Sequence, residues 1–401
     1  MAWHHTAKGE LRSTFVDEIC PFCFETFRLK ETPFRCISPP SSCAPVPDPA
    51  LQRIWRDTRP VGRVIPPARH FAERGSCPTC GTASQKRLCP HCHQELPHTF
   101  GQYRNYIFAV IGAKGAGKSH YITSLLEHLK QHVGPRLNIL IQPINDYTIS
   151  RYNDDFRKPL YDEHRTLDVT QSAVSNTKNR IPLVFSAAFT GRSLLGRDVI
   201  KKALTLAFFD TAGEDLKAED TMSTVNRYIY RSDGIILLLD PLQLNYVRDR
   251  LPGPMPPADT ETSDIVSRTT KLIRLGLSLR QDRKIAIPLA IVLSKMDAVA
   301  PLLDPHSQFG ASARPRAGFD VKDCEAMNGE IQSLIAEWSS EHLLHQVRTE
   351  FSTHHFFGIS ALGSPPSTAG TVANVVPRRV EDPFLWLLHR HGLVKAAEKS
   401  E

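Results

Sequence analysis

The fold is decided by the stretch Gly112-Ala113-Lys114-Gly115-Ala116-Gly117-Lys118-Ser119, which directly follows an apolar run, residues 106–111. It matches the phosphate-binding pattern G-x-x-x-x-G-K-[ST], whose glycines let consecutive backbone N–H groups curl around phosphate oxygens. Apolar residues recur at helical spacing over 121–131, so we predict a strand, this loop, and then a helix over 121–131. We count His120, which directly follows the loop, with residues 112–119 among the nucleotide-binding residues. Because a helix N-terminus favours an anion, the sequence predicts a site for a nucleoside triphosphate.

Outward from this loop, apolar strand-sized runs alternate with helical patterns. This order predicts an α/β P-loop fold: a mostly parallel sheet with one antiparallel strand and helices on both faces. We expect the further strands at 137–141, 182–189, 203–209, 234–240, 285–293 and 351–359. We expect the further helices at 147–160, 265–279, 324–344 and 382–393. The strands at 182–189 and 203–209 suit an antiparallel hairpin.

Two carboxylates follow predicted strands. Asp210 ends the strand at 203–209 and is placed to hold Mg²⁺ beside the Ser119 hydroxyl, while Gly213 leaves its N–H free to approach a γ-phosphate. Asp297 belongs to Ser294-Lys295-Met296-Asp297, after the strand at 285–293. Its carboxylate can accept hydrogen bonds from N1–H and the 2-amino group of guanine, which adenine lacks, and the Lys295 stem can lie over the base and brace the loop. Each motif alone also suits an ordinary turn after a strand.

The last strand, 351–359, ends in Ser360-Ala361, where backbone N–H groups can bond the guanine O6. Taken in order, residues 112–119, 210–213, 294–297 and 360–361 resemble the signature of the Ras-like, translation-factor-related P-loop GTPases. The resemblance spans about residues 104–395. With an N-terminal cysteine segment and the stretch from Phe209 to Leu216, the chain looks more specifically like the double-GTPase domains of bacterial conflict systems.

This resemblance implies a GTPase switch that binds GTP, GDP and Mg²⁺ and acts with a protein effector or a second GTPase. Lys118 would neutralise charge on the β- and γ-phosphates. Glu214 stands where many members have glutamine, which implies slow intrinsic hydrolysis or a catalytic group from elsewhere. The first-switch threonine that completes the Mg²⁺ site is Thr177 or Thr170, and either is equally a cap or loop hydroxyl. Lys114 is unusual inside the loop, and both a phosphate contact and a solvent-facing side chain are open.

Eight of the nine cysteines lie between residues 20 and 92. Cys-x-x-Cys knuckles in a chain without a secretion signal indicate metal rather than disulfides. We predict two zinc ions, each held by four thiolates taken consecutively along the chain; a crossed arrangement, in which the first and last knuckles share one ion, is open. His91 and His93 flank Cys92, and we expect both imidazoles to be exposed. The consecutive sets are Cys20, Cys23, Cys36 and Cys43, then Cys77, Cys80, Cys89 and Cys92.

Composition excludes several function classes. No apolar run approaches the roughly 20 residues of a membrane helix, and the first residues lack a secretion signal, so we expect a cytoplasmic protein without a membrane span. The first 100 residues hold 13 basic and 9 acidic side chains, a net charge of +4, without a basic and aromatic stripe. This argues against nucleic acid as a partner.

We predict four segments: a flexible N-terminus (1–19), a zinc-binding region (20–100), a P-loop GTPase domain (101–395) and a flexible tail (396–401). The leading interpretation is a GTP-hydrolysing switch. A second is a nucleotide-sensing scaffold that hydrolyses GTP poorly and uses its zinc modules to bind proteins, and Glu214 favours it.

Overall fold

The chain is described from a computed structural model, which covers residues 3–5, 11–13, 17–68, 72–97, 100–101, 103, 105–167, 181–193, 197–209, 225–253, 255–257, 262–310, 318–339 and 341–397. It forms two compact units. The first comprises residues 1–107, 140–149 and 173–207, and the second comprises residues 108–139, 150–172 and 208–401. The predicted boundaries at residues 20, 101 and 396 stay predictions.

The N-terminal part of the first unit is built from very short strands and one short helix. Strands of two or three residues bury little apolar surface, so this region needs additional bonds to hold it together. The strands pair antiparallel as β1/β2, β3/β4, β5/β6 and β7/β8. They are β1 (Trp3–His5), β2 (Leu11–Ser13), β3 (Asp17–Ile19), β4 (Thr26–Arg28), β5 (Phe34–Arg35), β6 (Val64–Ile65), β7 (Gly75–Ser76) and β8 (Ala83–Ser84), and the helix is α1 (Pro49–Trp55).

A buried ion cluster around Asp48 anchors α1. One Asp48 carboxylate oxygen accepts the backbone N–H of Ala50 at 2.9 Å, which caps the helix, and the other accepts Arg35 Nη1 at 2.8 Å. His93 Nδ1 lies 2.8 Å from the same carboxylate. Burial raises the pKa of Asp48, but the hydrogen bonds from Arg35 and His93 outweigh this and hold it below its usual value. Asp48 is therefore an ionised, fully paired carboxylate in the interior.

The first unit also contains most of a three-stranded sheet in the order β10-β11-β12. The two longest strands are joined by only five residues, too few for a parallel crossover, so they form the predicted antiparallel hairpin. Ser193 N–H donates to the Arg197 carbonyl at 2.8 Å inside this connection. The strands are β10 (Ile139–Pro143), β11 (Leu183–Arg192) and β12 (Asp198–Phe208).

The second unit is organised by a four-stranded parallel sheet in the order β15-β14-β13-β9. Almost every residue of these strands is buried, which explains why they read as continuous apolar runs rather than as alternating patterns. In the shared register, Ile236 lies beside Val110 on one side and Ala290 on the other. The strands are β9 (Phe108–Gly112), β13 (Gly234–Leu239), β14 (Leu289–Leu293) and β15 (His354–Gly358).

The remaining helices lie in the segments between and after these strands. They are α2 (Lys118–His128), α3 (Gly134–Leu137), α4 (Asp146–Arg151), α5 (Val225–Tyr230), α6 (Asn245–Arg248), α7 (Thr262–Gly276), α8 (Val321–Trp338), α9 (Glu341–Glu350) and α10 (Asp382–Arg390). Leu129–Val133 and Tyr152–Asp162 are π-helical, and Leu29–Glu31, Pro241–Gln243 and Ala300–Leu302 are 3₁₀ turns. Within the described part of the chain, none of these helices combines the length and apolarity needed to span a bilayer.

Several predicted elements differ from the structure. The single mostly parallel sheet that the sequence predicts is two sheets, one of three strands and one of four parallel strands. The helix expected over 147–160 is α-helical only to Arg151, and the strand expected over 351–359 begins at His354.

The helix expected over 324–344 is two helices, because Ser339 leaves helical geometry (φ −116°, ψ −80°) and lets α8 and α9 bury separate apolar faces. The strand expected over 285–293 begins only at Leu289. Pro288 has no N–H to donate to a neighbouring strand, and Ile285 makes only an isolated bridge to Phe351.

We predict that Asp48→Ala lowers the free energy of unfolding by about 3–5 kcal/mol, because it leaves Arg35 buried without its carboxylate. Urea denaturation with zinc present measures the change. Asp57→Ala is the control, since its partner Arg59 has a side chain that is 80% exposed; this change should cost less than about 1 kcal/mol. Equal effects of the two substitutions would contradict the structural role of Asp48.

Candidate nucleotide-binding site and cysteine clusters

The loop between β9 and α2 has the backbone geometry that its glycines predict. Gly115 and Gly117 adopt φ angles of +76° and +85°, a region that disfavours other residues. A Cβ atom on Gly112 would lie 2.7 Å from the Leu238 carbonyl oxygen, so close strand packing also requires glycine there. Tyr121 N–H donates to the Gly117 carbonyl at 2.8 Å and starts the helix. The loop therefore opens at a helix N-terminus.

Lys118 is fixed against this loop. Its side chain is buried, and Nζ donates to the carbonyl oxygens of Gly112 and Ala113, both at 3.0 Å. Ser119 is partly exposed in the first turn of α2, and Lys114 is exposed at the tip of the loop. The loop and the first turn of α2 thus carry an ammonium group, a hydroxyl and the first N–H groups of a helix, which are groups that can bind an anion.

The parallel sheet brings the other predicted motifs to the same edge. All four strands run in one direction, so their carboxyl ends lie together. The phosphate-binding loop follows β9, Asp240 follows β13, Ser294 follows β14, and Ile359-Ser360 follows β15. The spatial proximity of the loops is thus a consequence of strand order.

Hydrogen bonds connect these loops to the neighbouring strand ends and to α2. Ser294 donates both its N–H, at 2.9 Å, and its hydroxyl, at 3.1 Å, to the Leu239 carbonyl. Met296 N–H donates to the Ile359 carbonyl at 3.0 Å. On α2, the Ser124 hydroxyl donates to the Ala361 carbonyl at 2.7 Å. The predicted phosphate and base motifs therefore form one connected structure, with Asp297 partly exposed beside them.

Lys295 has two unusual features. It adopts a left-handed backbone conformation (φ +52°), which is uncommon for a residue with a side chain. Its Nζ lies 2.6 Å from Oδ2 of the buried Asp240, whose Oδ1 accepts the Leu242 N–H at 3.0 Å. Asp240 belongs to none of the predicted motifs, and its position directly after a buried strand is the sequence signal that points to it.

His120 lies in the first turn of α2 and accepts a hydrogen bond from the Leu167 N–H through Nε2, at 3.1 Å. Burial, and secondarily the charge of Lys295, lowers the pKa of His120 to about 4. The imidazole is therefore neutral at physiological pH, and its observed bond ties residue 167 to the helix.

Several predicted site residues lie outside the described part of the chain. They are three residues of the stretch after the strand at 203–209 and both candidates for the first-switch threonine. Their roles stay predictions, and Ser119 is the described member of the predicted Mg²⁺ site. These residues are Asp210, Gly213, Glu214, Thr170 and Thr177.

In the first unit, the three Cys-Pro-x-Cys segments share one backbone turn. The residue after the second cysteine has a positive φ in each: Phe24 (57°), Gly81 (73°) and His93 (57°). In each turn this residue's N–H donates to the carbonyl of the first cysteine, at 2.8–3.0 Å. The turn points both sulfurs of a knuckle the same way, as two ligands of one ion require.

The four-cysteine clusters are crossed, so the predicted consecutive grouping is wrong and the arrangement that the sequence left open is present. All ligand sulfurs of a cluster lie within 4.8 Å of one another. Nearly all of these cysteines are buried, and Cys80 alone among them is partly exposed. One cluster is Cys20, Cys23, Cys89 and Cys92, and the other is Cys36, Cys43, Cys77 and Cys80.

Backbone pairing explains the crossing. Residues 33–35 run antiparallel to residues 86–88: Leu88 N–H donates to the Pro33 carbonyl and Arg35 N–H to the Lys86 carbonyl, both at 2.8 Å. The segment before residue 33 therefore meets the segment after residue 88. Cys36, which follows residue 35, meets the knuckle that precedes residue 86. Consecutive grouping would require this ladder to break.

The cluster geometry fits zinc. The Cys20–Cys92 and Cys23–Cys89 sulfur distances are 3.8 Å, and the Cys36–Cys80 distance is 3.7 Å. Sulfurs about 2.3 Å from a tetrahedral ion lie about 3.8 Å apart, whereas a disulfide bond is about 2.05 Å long. Hydrogen bonds from the Ser38 hydroxyl, and then from Thr82, lower the pKa of Cys80 to about 5, whereas burial raises the pKa of Cys43 in the same cluster to about 12.

Of the flanking histidines, His91 is exposed as expected, but the expectation for His93 is wrong. The side chain of His93 is 19% exposed and is held by Asp48. In addition, Trp55 Nε1 donates to the Cys92 carbonyl at 3.1 Å. Thus α1 supports the cluster that contains Cys92 without supplying a ligand to it.

Comparisons with known proteins give limited matches, and no protein-family model matches the chain. A Mycolicibacterium smegmatis protein described as "putative ESX-1 scaffolding and assembly protein SaeC" is 26% identical over 325 residues, 77% of this chain and 80% of that protein. The resemblance to bacterial conflict systems stays a prediction.

Among solved structures, bacterial selenocysteine-specific elongation factor EF-Sec is 15% identical, with a TM-score of 0.28, and the match covers 71% of this chain but 29% of that one. The Trypanosoma brucei small GTPase Arl6 BBS3 is 12% identical, with a TM-score of 0.26, covering 72% and 98%. The S. cerevisiae Ski7 GTPase-like domain is 15% identical, with a TM-score of 0.31, covering 74% and 51%. The strand order and the geometry of the loops define the fold independently of these neighbours.

Serine substitutions distinguish the crossed from the consecutive clusters. We predict that replacing Cys20, Cys23, Cys89 and Cys92 together leaves one zinc ion per chain, because it removes one whole cluster. Replacing Cys20, Cys23, Cys36 and Cys43 should leave none, because each ion then loses two ligands. Elemental analysis of the purified proteins measures both, and consecutive clusters would give the reverse result. Wild-type protein should carry two ions.

Proposed function

We propose that this chain binds GDP and GTP and acts as a nucleotide-dependent switch in the assembly of a protein complex. The observation that carries the proposal is the shared sheet edge at which residues 112–119, 294–297 and 360–361 all follow parallel strands. There Met296 N–H donates to the Ile359 carbonyl, and Ser124, on the helix that follows residues 112–119, donates to the Ala361 carbonyl. A nucleotide needs both a phosphate site and a base site, and this edge offers candidates for both.

At the phosphate end, the loop N–H groups and Lys118 neutralise the charge of the β- and γ-phosphates, and the Ser119 hydroxyl binds Mg²⁺. Asp210 is proposed as the second anchor of that ion, with Thr177 or Thr170 completing its coordination. Gly213 is proposed to contact the γ-phosphate through its N–H, which would make the chain sensitive to the presence of that phosphate.

At the base end, Asp297 is proposed to select guanine. Its carboxylate accepts hydrogen bonds, and the guanine edge offers two neighbouring donors, N1–H and the 2-amino group. Adenine presents an acceptor at N1 and has no 2-amino group, so the carboxylate would face it unpaired. The N–H groups of Ser360 and Ala361 would complete recognition at O6.

Two observations bear on what the switch does. Glu214 replaces the glutamine that commonly orients the attacking water, so intrinsic hydrolysis should be slow and a partner would supply the missing group, such as an arginine. The M. smegmatis relative is named for scaffolding and assembly, and at 26% identity this supports an assembly role here. The zinc region is proposed as the surface that contacts partner proteins.

Equilibrium binding with labelled GDP tests the nucleotide assignment. Lys118→Ala should weaken binding by about 100-fold or more, because it removes charge-assisted hydrogen bonds to phosphate. Asp297→Asn should weaken GDP about 10- to 100-fold and improve xanthosine diphosphate, whose 2-oxo group accepts from the new amide. Asp304→Asn, an exposed carboxylate seven residues further on, is the matched control. Equal affinity of the wild type for ADP and GDP would contradict guanine selection.

A second candidate function is a scaffold that senses the nucleotide but barely hydrolyses it. The word "scaffolding" in the name of the M. smegmatis relative favours this candidate. Single-turnover hydrolysis separates the two. A switch should release phosphate faster when its partner is added, and Glu214→Gln should raise the intrinsic rate. A scaffold would retain GTP under both conditions. Rapid intrinsic hydrolysis in wild-type protein would contradict the scaffold.

A further inference from the structure

The carboxylate of Asp240 has no role in the motifs described above, yet it lies between them. Its side chain is only 2% exposed, and both oxygens have partners. Oδ1 accepts the Leu242 N–H at 3.0 Å, and Oδ2 lies 2.6 Å from Lys295 Nζ. A carboxylate this deeply buried is costly unless it is paired, so the ammonium of Lys295 is strongly held at this position.

The backbone of Lys295 is fixed on both sides. Ser294 N–H bonds to the strand-end carbonyl of Leu239, and Met296 N–H bonds to that of Ile359. Between these bonds, Lys295 adopts a left-handed backbone conformation. Residues with a side chain rarely adopt this conformation, so tertiary contacts must maintain it. With the backbone locked, the remaining freedom of this residue is in its long side chain. Asp240 removes that freedom.

We propose that Asp240 is a positioning residue for the guanine site: by holding Lys295 Nζ, it lays the lysine stem as a fixed floor for the base. The proposal rests on the proposed nucleotide-binding function. The Lys295 side chain remains 32% exposed, so part of its aliphatic stem is available to a ligand. Lys295 also acts electrostatically on His120 in the first turn of α2, so its charge lies near the phosphate-binding helix.

Asp240 would act through Lys295 and would not touch the base. Pre-ordering matters because a free lysine loses side-chain entropy when a ligand immobilises it, and that loss weakens binding. Adenine and guanine both stack on an apolar stem. The lysine therefore strengthens binding of either base. Selectivity arises because the fixed lysine stem orients the plane of the base so that its edge faces the Asp297 carboxylate. A mobile lysine should weaken GDP binding and narrow the preference for GDP over ADP.

A double-mutant cycle tests this assignment, with labelled GDP and ADP as probes. Asp240→Asn keeps the side-chain shape and an oxygen for the Leu242 N–H but removes the charge. We expect it to weaken GDP about tenfold, to speed GDP release and to narrow the GDP-over-ADP preference. Asp249→Asn, on an exposed carboxylate nearby, is the matched control and should leave both affinities unchanged.

The second background is Lys295→Met, which keeps an apolar stem of similar length but cannot pair with Asp240. If Asp240 acts through the lysine, Asp240→Asn causes no further loss of GDP affinity in this background. An equal loss in both backgrounds would mean that Asp240 has a merely structural role and would overturn the proposal. If the Asp240→Asn variant binds GDP as tightly as the wild type, the proposal is overturned as well.

Thermal unfolding without nucleotide is measured for each variant to separate stability from affinity. Should Asp240→Asn not fold, Lys295→Arg is compared with Lys295→Met, since arginine preserves the ion pair and methionine preserves only the stem. Affinity retained by arginine and lost by methionine supports the proposal, and the reverse overturns it. Failure of the wild type to bind GDP would instead reject the proposed function itself.

Discussion

The parallel pairing of β9, β13, β14 and β15 is the constraint on which the candidate site depends. A buried strand must satisfy all its backbone groups with neighbouring strands, and these four do so in one direction. Their carboxyl ends therefore form a single edge, and each loop leaves the sheet there. Gly112 is required at that edge because the Leu238 carbonyl leaves no space for a Cβ atom.

The zinc region depends on a different constraint. Its strands are too short to bury a substantial core, so the cysteine clusters and the Arg35–Asp48–His93 cluster are the bonds that hold it. The antiparallel ladder between residues 33–35 and 86–88 makes each metal site draw on both ends of the region. Zinc binding would thereby join segments 66 to 72 residues apart in one cluster, and Cys36 to Cys80, 44 residues apart, in the other, so the region would fold around its ions as a unit.

In the proposed function, the nucleotide site contains residues that bind the ligand and residues that support them. The nucleotide site uses a few side chains, including Lys118 and Asp297, mounted on loops whose backbones are fixed by neighbouring strands. Asp240 and Ser124 would have no direct part in binding, but they contact Lys295 and Ala361, which are proposed to bind the base. Such supporting groups have no sequence motif of their own, which is why only three-dimensional contacts identify them.

The sequence by itself determined the phosphate-binding loop, the parallel strands and the presence of cysteine knuckles, because each depends on local spacing and on the conformational freedom of glycine. It also located Ser294–Asp297 and Ser360-Ala361, since their positions after strands were readable. Only the tertiary structure decided which cysteines share a cluster, where α8 ends and α9 begins, and that Asp240 pairs with Lys295. The physical reason is that these features depend on long-range backbone pairing and on burial, and residue spacing along the chain predicts neither.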